Sequence, residues 1–172
     1  VNETTGNLVW GFQTAAHEMW DYDCSWQQTL GNETVNGVST QVLWKTCKNG
    51  YLYELNAATG AMIWAWSPSA SILPRCPYCY MLNPLNRTQM TMAFFTPDLK
   101  PALMYPSQFA GFENEGAYSP TLNYLFLASQ NVPQMASYVA PNSTNYKTAS
   151  GISFTPPPGS SALAGSQDNA TI

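Results

Sequence analysis

One pattern occurs twice along this chain, and it restricts the fold more than anything else in it. Asn2-Glu3-Thr4-Thr5-Gly6 is followed by Trp10, and Asn56-Ala57-Ala58-Thr59-Gly60 is followed by Trp64, with the same Thr-Gly-x-x-x-Trp spacing at an offset of 54 residues. A Thr-Gly pair between short apolar runs marks a tight turn, because glycine enters the backbone region that such turns need. Repeats of this length carrying strands and a Gly/Trp signature point to the blades of a β-propeller. In that reading the glycine turns the hairpin between the outer strands and the tryptophan docks between neighbouring blades. The competing explanation is chance recurrence of two Thr-Gly turns in an all-β protein.

The rest of the chain agrees with an all-β class. Apolar runs are short, often alternating, and broken by Gly, Pro and Asn, while helix signals are nearly absent. Strands are expected near residues 7–13, 24–30, 39–46, 51–56, 61–66, 102–105 and 123–129. Asn36-Gly37 is a strong hairpin turn between the second and third of these, and Lys48-Asn49-Gly50 is another turn before Tyr51. Residues 1–140 therefore read as propeller blades. Residues 141–172, with Thr155-Pro156-Pro157-Pro158-Gly159, read as a Pro/Ser/Gly-rich surface loop or tail in which no strand is assigned. The chain opens on what reads as the middle of a hairpin, so a fragment or processed product is expected.

Charge excludes one class of partner. Only six Lys plus Arg are present against ten Asp plus Glu, too few to track a phosphate backbone, so no nucleic-acid partner is expected. No window approaches the ~18 apolar residues of a membrane span. The cysteines, Cys24, Cys47, Cys76 and Cys79, are even in number and compatible with two disulfides. Asn-x-Ser/Thr sequons stand at Asn2, Asn32, Asn86, Asn142 and Asn169, all in expected loops. Fourteen Asn among 31 Ser and Thr in 172 residues predict about 2.5 sequons from composition, so five is a twofold excess. Together these favour a secreted or periplasmic glycoprotein with oxidised cysteines.

Cys24 and Cys47 flank the Asn36-Gly37 hairpin almost symmetrically. In a ladder centred there they would be cross-strand neighbours, and a disulfide between them would staple the strand ends that carry Asp21 and Lys48. Cys76-Pro77-Tyr78-Cys79 can be a redox pair or half a zinc site. No second pair or histidine follows at zinc spacing, and a small loop disulfide is the preferred reading. Four cysteines allow three pairings, and sequence does not choose among them.

The chemistry-bearing stretch is His17-Glu18-Met19-Trp20-Asp21-Tyr22-Asp23. On a strand, Asp21 and Asp23 would project to one side. Two acids on one face beside Trp20 suit a bound cation, a catalytic base or plain solvation. His17 is the single histidine and receives no chemical role.

Ordered blocks then resemble a known family. Thr5-Gly6-Asn7-Leu8-Val9-Trp10-Gly11-Phe12-Gln13-Thr14, His17 to Asp23, Lys48-Asn49-Gly50-Tyr51-Leu52-Tyr53-Glu54-Leu55-Asn56, Pro106-Ser107, Phe112-Glu113-Asn114 and Tyr118-Ser119-Pro120 follow one another as in the quinoprotein alcohol dehydrogenases. These are eight-bladed propellers that bind pyrroloquinoline quinone (PQQ) with a calcium or lanthanide ion. The resemblance implies a PQQ-dependent dehydrogenase of a small alcohol. Asp21 would be the base that takes the hydroxyl proton and a metal neighbour, and Lys48 the donor to the quinone oxygens. Asn114 would be a further cofactor-binding amide, and Asp23 the extra carboxylate of lanthanide-using members, since an added anionic oxygen favours a trivalent cation. The family's other metal ligands have no counterpart here, so the remaining blades, or other copies of the parent protein, are expected as partners. Two rival functions stand beside this one. A tetrathionate hydrolase would share the propeller and suit a low-charge exported surface. A non-catalytic glycosylated propeller piece could serve in a surface layer or filament.

Overall fold

A computed structural model of the protein describes residues 1–14, 23–66, 102–104, 112–129, 134–138 and 152–155. Within them lie nine strands: β1 (Thr29–Val35), β2 (Val38–Thr46), β3 (Leu52–Asn56), β4 (Met62–Trp66), β5 (Ala102–Met104), β6 (Ala117–Ser119), β7 (Tyr124–Phe126), β8 (Gln134–Tyr138) and β9 (Ile152–Thr155). β1 to β4 form an antiparallel meander in chain order, the four-stranded unit expected of a blade. β5, β8 and β9 form a second antiparallel sheet, and β6 and β7 a hairpin.

The β1–β2 hairpin follows from two residues. Asn36 and Gly37 both have positive φ, 51° and 82°, the combination a two-residue turn needs to match strand twist. That turn pairs Val35 with Val38 and runs the ladder back to Thr29 opposite Trp44. The strand expected over 24–30 is thus displaced: a two-residue turn obliges β1 to continue up to Val35. Asn32, expected in a loop, lies on β1 opposite Gln41 with its residue exposed.

The β3–β4 turn repeats the hydrogen bonds of the N-terminal turn, which adds one from the Thr5 hydroxyl to the Asn2 side chain. The Asn56 side chain accepts from the amides of Ala58 and Thr59, and the Asn2 side chain from those of Thr4 and Thr5. The Gly60 amide donates to Asn56 O and the Gly6 amide to Asn2 O, each at 2.8 Å. Thr59 and Thr5 hydroxyls accept from Ala61 and Asn7. Both asparagines build Asx turns, which is a structural reason for Asn2 independent of its sequon.

Alternation on β2 and β3 gives the blade two apolar faces. One carries Val42, Trp44 and Leu52 and packs on Phe112, Tyr118, Leu125 and Leu127. The other carries Cys47, Tyr51, Tyr53 and Leu55 and packs on Trp10, Phe12 and Cys24. β3 is covered on both sides, so Leu52, Tyr53, Glu54 and Leu55 are all buried. The Trp44 ring lies over Gly31, where a Cβ would come within 2.3 Å of it, and meets the Tyr118 ring at 4.8 Å.

Residues 7–13, expected as a strand, have no ladder partner among the described residues. The segment instead lays alternate side chains on the blade. Trp10 donates its indole N–H to Ala57 O at 3.0 Å and sits over Gly60. Phe12 meets Tyr53 edge-on at 5.4 Å, and the Tyr53 hydroxyl donates to Thr14 O. Its period-two pattern reported a buried face, and packing rather than pairing satisfies it. The tryptophan of one repeat therefore docks on the Thr-Gly turn of the other. At the far end of the chain, β9 pairs with β8 inside the stretch read as a loop. Ile152-Ser153-Phe154-Thr155 is a short alternation that the neighbouring prolines masked.

Candidate functional site

Three separated segments, 23–26, 46–48 and 112–114, converge at one end of the blade. Each carries one of the expected site residues that lie within the described part of the chain: Asp23, Lys48 and Asn114. A disulfide joins Cys24 to Cys47 with their Cα atoms 4.7 Å apart. The expected pairing is therefore present, but not as a cross-strand pair, because β1 begins at Thr29 and Cys24 lies in the preceding loop. The bridge holds Asp23 and Lys48 beside one another. The Lys48 ammonium is 2.5 Å from Asp23 Oδ1 and 3.9 Å from Glu113 Oε1. Lys48 is largely sheltered, its side chain 14% exposed, whereas the carboxylates of Asp23 and Glu113 reach solvent. The hydrogen bond from Lys48, supported by one from Ser25, holds the Asp23 carboxyl below its ordinary value.

Asn114 is anchored at both ends. Its carboxamide donates to Ala128 O at 3.0 Å, and its backbone carbonyl accepts from the Thr46 hydroxyl. A longer bond from the Phe112 amide to Cys47 O, 3.3 Å, ties the same two segments. Two residues that the sequence reading passed over complete the network. The Lys45 ammonium donates to Trp26 O and lies 5.6 Å from the Trp26 ring centroid, a cation–π arrangement. Burial lowers the Lys45 pKa from the ordinary lysine value, with Glu115 opposing. The signal was present, since Lys45 and Thr46 interrupt the run Val42-Leu43-Trp44 just before Cys47, and both are buried.

Asp21, expected as the base and a metal ligand, lies outside the described residues, as do Cys76, Cys79, Asn86, Asn142 and Asn169. Among the described residues no cluster of three or more His, Cys, Asp or Glu forms a metal site. Nor is any helix among them long and apolar enough to cross a membrane.

Comparisons with known proteins bear on what this arrangement belongs to. Residues 1–68 match the model of the PQQ beta-propeller domain of glucose, ethanol and alcohol dehydrogenases. The chain is 29% identical over 141 residues to the dehydrogenase subunit of the quinone-dependent alcohol dehydrogenase of Gluconobacter oxydans, covering 77% of this chain and 17% of that protein. In fold it is similar to the quinohemoprotein alcohol dehydrogenase ADHIIG of Pseudomonas putida HK5, with a TM-score of 0.66, 22% identity, and coverage of 90% of this chain and 23% of that one. A europium-containing methanol dehydrogenase superposes with a TM-score of 0.57 at 20% identity, over 83% of this chain and 24% of that one. The chain spans 8 to 19% of the length of the curated relatives it matches. Its repeated docking turn, its four-stranded meander and these likenesses agree: the chain is a stretch of β-propeller similar to those of the PQQ-dependent dehydrogenases, whose propeller-domain family residues 1–68 match.

Proposed function

We propose that this chain supplies part of the active site of an exported dehydrogenase that oxidises a small alcohol with PQQ and a calcium or lanthanide ion. The single observation that carries the reading is the convergence of Asp23, Lys48 and the Asn114 segment. The chemistry of that set suits such a pair of guests. An ammonium and a carboxamide can bind an anionic quinone, while Asp23 and Glu113 would repel an anion arriving alone and attract a hard cation. When bound, the quinone supplies an electrophilic carbonyl carbon that accepts hydride.

The chain's own residues have narrower tasks. Lys48 would offer its ammonium to the quinone oxygens, where a preplaced positive charge would stabilise negative charge. Asp23 and Glu113 hold that ammonium in place before any ligand arrives. Asn114 would orient the cofactor by hydrogen bonding, its own carboxamide steadied by Ala128 O. Asp21, two residues before Asp23, would take the proton from the alcohol hydroxyl, and it and Asp23 would offer anionic oxygens to the cation. Further blades complete the ring and supply the other metal ligands.

The test uses the intact protein that contains this chain, loaded with PQQ and either calcium or lanthanum, in a dye-linked alcohol oxidation assay. Asp21→Asn should abolish turnover, with far-UV circular dichroism unchanged and PQQ retained. Undiminished turnover in that variant would remove Asp21 from the role of base, and an intact protein that takes up no PQQ would remove the dehydrogenase reading altogether.

A further inference from the structure

The Thr46 hydroxyl is the node between the three converging segments. Thr46 ends β2, is 3% exposed, and lies two residues before Lys48. Its Oγ1 accepts the indole N–H of Trp26 at 2.6 Å and donates to the backbone carbonyl of Asn114. Donor chemistry leaves no ambiguity about direction. An indole nitrogen can only donate and a carbonyl oxygen can only accept, so the one hydroxyl proton is committed to Asn114. One side chain thus binds the loop that carries Asp23 on one side and the loop that carries Asn114 on the other. Other links among the described residues include the Cys24–Cys47 bridge, the two Lys48 ion pairs, the Phe112 amide bond, the packing of Phe112 on Val42, Trp44 and Leu52, and the Lys45–Trp26 contacts. The ion pair to Glu113 and the Phe112 amide bond, 3.9 and 3.3 Å long, reach the 112–114 segment, and the buried Phe112 ring anchors its first residue, two positions from Asn114.

We infer that Thr46 is a positioning residue of the cofactor site. Through its two hydrogen bonds it sets where Asn114 and the Asp23 loop stand relative to Lys48, and the hydroxyl, not the side-chain volume, is what the site requires. This inference rests on the PQQ reading above. Placing a cofactor's donors correctly matters because a shift of about 1 Å in a positioned group is enough to weaken it severely.

The experiment compares three forms of the intact protein in apo form: the parent, Thr46→Val and Thr46→Ser. Each is titrated with PQQ in the presence of calcium and, in parallel, of lanthanum, and the dissociation constant is read from fluorescence quenching well below each melting temperature. Valine keeps the shape but leaves the Trp26 N–H and the Asn114 carbonyl without their partner, so PQQ should bind about tenfold more weakly or worse. Serine keeps the hydroxyl and should restore binding to within about threefold of the parent. If the valine variant does not fold, Thr46→Ala serves as the hydroxyl-less arm. Parent-like PQQ affinity in the hydroxyl-less variant overturns the inference, even if its melting temperature falls, and so does a serine variant as weak as valine. A parent protein that binds no PQQ with either metal overturns both this inference and the reading beneath it.

Discussion

Gly60→Ala tests whether the tryptophan of one repeat is locked to the turn of the other. Two separate penalties apply at this position. The backbone φ is +70°, a region where a side chain on an L-residue costs roughly 1–2 kcal/mol. The added methyl would also fall 2.4 to 3.0 Å from three atoms of the Trp10 ring, so the indole must move. Moving it breaks the bond to Ala57 O, about 1 kcal/mol, and lifts the ring from the turn it packs against, of order 1 kcal/mol more for a ring that is only partly buried. The total is about 3–4 kcal/mol, of which about 2 kcal/mol belongs to Trp10. A double-mutant cycle separates the parts. Equilibrium urea unfolding, followed by near-ultraviolet circular dichroism, should show Gly60→Ala losing about half its effect in a Trp10→Ala background, where only the backbone penalty remains. Strictly additive effects would refute the docking argument. They would mean that the indole–turn contact contributes nothing and that the repeat is only a turn motif.

Two further expectations concern the blade itself. The Glu54 carboxylate is buried on β3 and accepts the indole N–H of Trp44 at 2.7 Å, with Trp64 also donating to it. Burial raises its pKa in the fold, and Glu33 adds to the shift while both indoles oppose it. A raised carboxyl pKa means that the ionised group opposes folding, so the penalty is absent below the unfolded value of 4.5 and grows as pH rises through the folded value. Glu54→Gln keeps an acceptor for Trp44 and should be the more stable protein at pH 7, with the difference vanishing on acidification. A difference in unfolding midpoints that widens toward low pH would contradict the sign. Separately, the Cys24–Cys47 bridge spans 23 residues, so the chain-entropy relation assigns it about 3.4 kcal/mol. Cys24→Ser/Cys47→Ser should unfold at correspondingly lower urea, and an unchanged midpoint would show that the neighbouring contacts already hold the loop.

Much of the architecture is a local property and was legible in the residues. Asn36-Gly37 determines a two-residue hairpin because few other pairs tolerate two successive positive φ values. The duplicated Asn-x-x-Thr-Gly-x-x-x-Trp determines two like turns, since each of its hydrogen bonds lies within five residues. Short, often alternating apolar runs marked the strands that became β2 and β3. What alternation does not encode is whether an apolar face is covered by a paired strand or by a segment lying across the sheet. Residues 7–13 therefore read as a strand when their partners are the Tyr53 ring and the Ala57 carbonyl. In the same way, the strand near 24–30 was misplaced because its register is counted from the turn and not from its own composition.

The site divides along the same line. Lys48, Asp23 and Asn114 could be singled out from ordered motifs, because each motif is a short run of chain. The arrangement among them is another matter. Asp23 meets Lys48 across a disulfide from a loop, and Glu113 and Asn114 arrive more than sixty residues later in the chain. Thr46 becomes the hub only because Trp26 and Asn114 reach it from either side. Such contacts depend on three loops closing at one place, and loop closure is decided by the packing of the whole blade. Residue types and turns were thus set by the sequence. The neighbours of Lys48 were set by the tertiary structure, because side chains far apart in the chain acquire fixed distances only when the sheet that carries them has been buried on both faces.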